Sequence, residues 1–173
     1  MAYLDGGVHT INVIIRTAQP SDAIAIGKLT VDVYRDHGSI GPDSDAGYLE
    51  SLSNGAYRIQ HATVFVADTG DTLAGTITAA RKGSPLSHVA TADELEVRML
   101  AVTPSLRRRG VANQLVAACE QLARNEQKSA VVLCTESWNV NAQSFYLQRG
   151  YCSAPHRDWT INGTTLLAYE LRV

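Results

Sequence analysis

Cysteine is scarce in this chain and poorly arranged for cross-linking or metal binding. The three present, Cys119, Cys134 and Cys152, are odd in number, widely spaced and never paired at a metal-ligand interval. That argues against a disulfide framework and a zinc site, and no metal is expected. Long apolar runs are missing too: none approaches the roughly 18 residues a membrane helix needs. The N-terminal stretch 1–10 lacks the basic start and apolar core of a secretory signal, so a cytoplasmic protein with a flexible leader over 1–10 is expected. Nor is positive charge in excess: 15 Lys and Arg against 17 Asp and Glu give a formal charge of −2, which offers no global attraction to nucleic acid or an anionic membrane. Neither Gly-x-x-x-x-Gly-Lys-Ser/Thr nor Gly-x-Gly-x-x-Gly occurs, so the two commonest glycine loops for nucleotide phosphates are absent.

What is present is an ordinary globular balance, 45% hydrophobic and 18% charged, over 173 residues. One domain over 11–173 follows, large enough to bury roughly 70% of its unfolded surface. The local feature that stands out is Arg107-Arg108-Arg109-Gly110-Val111-Ala112, between a strand-like run and a helix-like run. A helix N-terminus carries partial positive charge and disfavours nearby cations by roughly 0.3–1 kcal/mol each. Three arginines there call for an anion. Unpaired backbone N–H groups, a glycine and the guanidinium groups together form a cradle for phosphate or pyrophosphate.

The hydrophobic periodicity sets the order of elements. A strand over 11–17 precedes a helix over 24–34, opened by Gln19-Pro20-Ser21-Asp22. A Gly/Ser/Asp/Pro loop over 37–47 leads to one short second helix through Tyr48, Leu49, Leu52 and Tyr57. Strands 64–68 and 72–80 flank a glycine turn, and a polar loop leads to a strand over 94–102. A helix over 111–124, a buried strand over 130–135 and a helix over 139–149 closed by Gly150 follow. Two final strands, 151–160 and 165–171, are joined through Asn162-Gly163. The expected fold is α/β (α+β): a single mixed, mostly antiparallel central sheet of about seven strands flanked by four helices.

Two stretches carry a resemblance. The run 94–104, Glu-Leu-Glu-Val-Arg-Met-Leu-Ala-Val-Thr-Pro, followed by Arg107 to Ala112, resembles the acyl-CoA-binding motif Gln/Arg-x-x-Gly-x-Gly/Ala of the GNAT N-acetyltransferases. Downstream, Asn139 lies seven residues before Tyr146, with Gly150-Tyr151 beyond, as in that family's second signature. The match is sharp over 94–151 and elsewhere extends only to element order. Ala112 replaces the commoner second glycine, which the pattern allows.

The resemblance implies an acyl-CoA N-acyltransferase fold and transfer of an acetyl group from acetyl-CoA to an amine by direct attack in a ternary complex. The pyrophosphate of coenzyme A would lie on Arg107, Arg108, Arg109, Gly110, Val111, Ala112 and Asn113, and the pantetheine arm would pair like an added strand with Leu100, Ala101 and Val102. That arrangement requires the edge of this strand to be free of any neighbour. Asn139 would hydrogen-bond the cofactor, or it is a plain helix cap. Tyr146 is the candidate acid for the departing sulfur. The resemblance places a base on the 94–102 strand, where Glu96 is the candidate. Glu94 and Arg98 share its face, so the same set reads equally as an ion-pair cluster, and Glu136 is a second candidate base.

The acceptor pocket in such proteins is shaped by the first helices and the loop before the acidic strand, here Tyr34, Asp43, Asp45, Tyr48, Tyr57 and 82–93, with Trp138 and Trp159 as further wall candidates. No nucleophile suggests an acyl-enzyme, since Cys134 lies in an apolar strand where its thiolate is disfavoured. The competing function is a non-catalytic acyl-CoA-binding regulatory domain; a homodimer is compatible with either.

Overall fold

A computed structural model describes residues 12–173; the leader expected over 1–10, and Ile11, lie outside them. The elements are β1 (Ile14–Thr17), α1 (Ala23–Asp36), α2 (Ala46–Ser53), α3 (Gly55–His61), β2 (Thr63–Asp68), β3 (Leu73–Arg81), β4 (Glu94–Val102), α4 (Val111–Asn125), β5 (Ala130–Glu136), α5 (Val140–Gln148), β6 (Cys152–Ser153), β7 (Trp159–Ile161) and β8 (Thr164–Arg172). The strands form one sheet in the order β1-β2-β3-β4-β5-β8-β6, with β7 also on β8. Among the described residues only β4 and β5 are parallel; every other pair is antiparallel.

The described residues thus hold eight strands and five helices, one more of each than expected. The extra helix arises at Asn54, which ends α2 and caps α3 by accepting the Tyr57 N–H at 2.9 Å. The extra strand arises because Pro155 opens a 3-10 turn within the expected 151–160 strand. Proline cannot donate to a ladder, so β6 and β7 part there. The final hairpin behaves as its Asn-Gly pair predicts: Asn162 has φ 48° and Gly163 φ 77°, both left-handed as a type I′ turn requires.

The sheet has two differently used faces. On one, Ile77, Leu95, Val97, Val131 and Leu133 pack against Val111, Leu115, Val116 and Cys119 of α4, with Tyr146 and Tyr151 closing the same core. These side chains repeat at helical spacing along α4, and each fully buried Val or Leu contributes about 1.5–3 kcal/mol. On the other face α1, α2 and α3 cover β2 to β4, with Ile26, Val64 and Val66 in one cluster and Ile40, Leu52 and Met99 in another. The helices there approach at backbone distance: a Cβ on Gly27 would lie 1.9 Å from the Ser53 carbonyl oxygen, so α1 admits α2 only because residue 27 has no side chain.

Candidate active site

The site begins where two strands part. β4 and β5 pair in register from Glu94↔Ala130 to Val97↔Leu133, and no further. On its other side β4 continues against β3, through Thr76↔Ala101 and Gly75↔Val102. A one-residue register shift separates that part from Thr78↔Arg98, and Met99 sits there with φ 52°. This bulge bends β4 and increases its twist, which separates its second half from β5. Leu100, Ala101 and Val102 therefore keep the edge facing β5 unpaired among the described residues, the condition the pantetheine reading required.

The arginine loop follows directly. Gly110 is the N-cap of α4, with φ 82° and no side-chain cap. A Cβ there would meet nothing nearer than Gln114 Nε2 at 4.0 Å, so conformation rather than crowding is what favours glycine. The first helical bond runs from Gln114 N–H to the Gly110 carbonyl at 3.0 Å. Helix geometry leaves the N–H groups of Val111, Ala112 and Asn113 without intrahelical partners. Arg108 and Arg109 are exposed beside them, without a carboxylate partner among the described residues, and Arg108 is itself left-handed at φ 58°. A non-glycine residue there stores strain of about 1 kcal/mol, a cost often met where a loop holds a ligand.

Two residues expected in the cradle are occupied. Arg107 pairs with Asp36 at the end of α1 at 2.8 Å and reaches the Val102 carbonyl at 3.4 Å, so it fastens the loop to α1. Asn113 accepts from Arg149 at 2.8 Å, and Arg149 also grips both oxygens of Glu120, at 2.8 and 2.7 Å, locking α5 to α4. Asn139 caps α5, accepting the Ala142 N–H at 3.1 Å through Oδ1. The cap reading is realised, and its amide N–H₂ makes no hydrogen bond among the described residues.

Tyr146 is 6% exposed, its ring edge-on to Phe145 at 5.1 Å and to Tyr151 at 5.4 Å. Burial, then the nearby Tyr34 phenol, push its hydroxyl well above the usual phenol range, so it holds its proton at all physiological pH.

Glu96 is 3% exposed and heavily engaged. Its Oε2 accepts from the N–H groups of His88 at 2.7 Å, Val89 at 2.8 Å and Ala90 at 3.2 Å, and from Ser87 Oγ at 3.1 Å. Oε1 faces Arg98 Nε at 3.8 Å. Glu96 thus anchors the loop before β4, and only one of its oxygens is open. Glu94 is spent similarly on Arg157, at 2.7 and 2.6 Å, and on Thr91 N–H at 2.8 Å, which hold its carboxyl down at about 2. Glu136, at the end of β5, is half-buried and its carboxylate makes no hydrogen bond among the described residues. It lies within electrostatic range of Tyr34, which burial and then this carboxylate push up to about 12, and of Tyr48.

The other acceptor candidates divide. Asp45 is the α2 cap, accepting Tyr48 N–H at 2.9 Å; Asp43 is exposed. Tyr57 packs against His61 with tilted rings 4.2 Å apart, Trp159 stacks on His88 at 5.3 Å, and Trp138 is half exposed. Sequence reasoning missed Arg58. It is fully buried in α3 and donates to Thr30 Oγ1 at 2.7 Å, Thr78 Oγ1 at 2.9 Å and Thr76 Oγ1 at 3.4 Å, with no carboxylate partner among the described residues. Burial lowers its pKa to about 10, still far above neutrality. The signal was Thr76 and Thr78, two hydroxyls one strand period apart on β3.

No group of three His, Cys, Asp or Glu side chains able to hold a metal occurs among the described residues. No helix among them is long and apolar enough to cross a membrane.

A mixed sheet split between its two parallel strands, with exposed arginines before the next helix, is the acyl-CoA N-acyltransferase type of fold. The model of the acetyltransferase (GNAT) family matches residues 28–151, and the chain belongs to that family. Solved structures share the fold at low identity. An acetyltransferase of the GNAT family from Staphylococcus aureus Mu50 superposes with a TM-score of 0.72 at 14% identity, over 93% of this chain and 99% of that one. The PaiA N-acetyltransferase of Thermoplasma acidophilum, in complex with coenzyme A, gives 0.70 at 14%, over 92% and 99%. YncA of Salmonella typhimurium, with its cofactor acetyl-CoA, gives 0.68 at 18%, over 93% and 94%. No curated protein matches the chain by sequence.

Proposed function

We propose that this chain is an acetyl-CoA-dependent N-acetyltransferase that joins its two substrates in a ternary complex. The observation that carries the reading is the unpaired β4 edge at Leu100, Ala101 and Val102 running straight into the arginine cradle. Arg108, Arg109 and the N–H groups of Val111 to Asn113 suit the pyrophosphate, and Asn139 has its amide donors free for the pantetheine arm. Arg107 contributes by fixing the loop to α1. Bound there, acetyl-CoA supplies a thioester carbonyl to which the amine adds, the C–N bond forming as the C–S bond breaks.

The protein's own groups handle the protons. Tyr146, kept protonated by burial, donates a hydrogen bond to the departing sulfur. A carboxylate takes the amine proton, and Glu136 suits this because it is open and half-buried; Glu96 is the alternative through its single open oxygen, Oε1. Holding amine and thioester together in the split supplies much of the acceleration.

Amine-dependent thiol release from acetyl-CoA is the test, with Tyr146→Phe as the diagnostic variant. Tyr146→Phe should lower kcat by about tenfold to a hundredfold while coenzyme A affinity stays within about twofold. Stabilisation by acetyl-CoA without thiol release for any amine in a broad panel would instead establish the non-catalytic acyl-CoA-binding domain.

A further inference from the structure

Beyond the split, the face of the sheet covered by α1 to α3 carries one open cation and one open anion. Arg98 is the first β4 residue past the last β4–β5 pair, and it shares its cross-strand position with Thr78 of β3. Of its five N–H donors, one is committed, from Nη1 to the Leu86 carbonyl at 2.8 Å; its contact with Glu96 is loose, at 3.8 Å. Glu96 cannot close on it, because four donors from the preceding loop hold the other carboxylate oxygen. Arg58 is bonded to Thr78 directly beneath and has only hydroxyl partners, so this face holds a further cation that no carboxylate pairs among the described residues.

The anion is Glu136 on β5. In the parallel register Cys134 would stand opposite Arg98, and Glu136 lies two residues further, about 7 Å along the strand on the same face. A guanidinium fork on one lip of the opening and a free carboxylate on the other match a small zwitterion.

We infer that the acceptor is a free amino acid or similar small zwitterion, its amine directed to Glu136 and its carboxylate received by the open guanidinium of Arg98. The inference rests on the acetyltransferase reading and deepens it. Arg98 is then a specificity-determining residue: it binds the carboxylate by paired N–H donors and takes no part in proton transfer. Arg58 adds positive potential from below without contact, its donors being held by the threonines. A carboxylate far from the amine, as in a peptide, could not reach Arg98 while the amine sits at the thioester.

The experiment compares matched acceptors by thiol release. Leucine, phenylalanine and lysine are each assayed beside their amides and their decarboxylated amines, with one neutral tripeptide as a long-range control. At least one free amino acid should exceed its amide and its amine in kcat/KM by about tenfold to a hundredfold, as expected for a charge-assisted pair. The tripeptide should behave like an amide. In Arg98→Gln the acid-to-amide ratio should fall by the same factor, and Arg98→Lys should restore part of it. Because the ratio is taken within one preparation, a partly folded variant does not blur it. Equal rates for acid and amide in the wild type, or a ratio that survives Arg98→Gln, would overturn the inference and leave the acetyltransferase reading intact. No thiol release with any amine, including a wider panel of polyamines and peptides, would overturn both.

Discussion

The two halves of β4 use their polar groups in opposite ways. From Leu95 to Val97 the strand is paired on both sides, and the carboxylates of this half are engaged by the fold: Glu94 by Arg157 and Thr91, one oxygen of Glu96 by four donors of the preceding loop. From Arg98 onward the strand is paired only with β3 among the described residues; its β5-facing edge has no strand partner, and most of the Arg98 donors are uncommitted. A charged group on a fully paired segment is free to serve as framework, whereas one at a split faces a space that a ligand can enter. Catalytic candidacy therefore follows the pairing state of the strand more than the residue type.

Breaking the open half should cost most. Arg108→Glu combined with Arg109→Glu replaces two attractive contacts by repulsive ones, and coenzyme A affinity should drop by about a hundredfold to a thousandfold at low ionic strength, measured by calorimetry. Unchanged affinity would remove the cradle. Next comes Glu136→Gln, expected to lower kcat/KM about a hundredfold near pH 7, with melting temperature little changed. Glu96→Gln sharpens the contrast: it should cost about 1–2 kcal/mol of stability by weakening the loop anchor, with a smaller fall in kcat. The reverse pattern would move the base to Glu96.

At the start of the paired half the effect falls on stability, with catalysis touched least. Arg157→Gln leaves Glu94 buried without its cation and should destabilise the fold by about 2–3 kcal/mol in urea unfolding. The native Glu94 carboxyl, at about 2, lies below its ordinary 4.5, so its contribution is complete above that ordinary value and is lost as pH falls through 2. Discounted for solvent screening it amounts to about 1–2 kcal/mol. Unfolding free energy should fall between those two pH values in the wild type and less so in Arg157→Gln.

Much of the frame was legible in the chain. The alternation along 94–102, the helical spacing of Val111, Leu115, Cys119 and Leu122, and the Asn162-Gly163 turn all act through local periodicity and turn chemistry, which need no partner to be read. The misreadings have equally local causes: Asn54 acts as stop and start at once, and Pro155 divides an otherwise apolar run. The arginine cradle was visible because helix starts repel cations, but nothing local told Arg107, tied to Asp36 71 residues away, from Arg108 and Arg109 beside it.

Sequence by itself determined the order of elements, the buried stripe of each helix and the crowding of three arginines at the start of α4. These follow from periods of two and of about 3.6 residues and from backbone groups that must find partners. Only the tertiary structure decided which polar residues stay available. Among the described residues it placed four donors on the Glu96 carboxylate and none on that of Glu136, sank Arg58 among three hydroxyls, and used a bulge at Met99 to part β4 from β5. Each of those outcomes depends on pairing between segments distant in the chain, where a hydrogen bond made to the fold is a hydrogen bond no longer offered to a substrate.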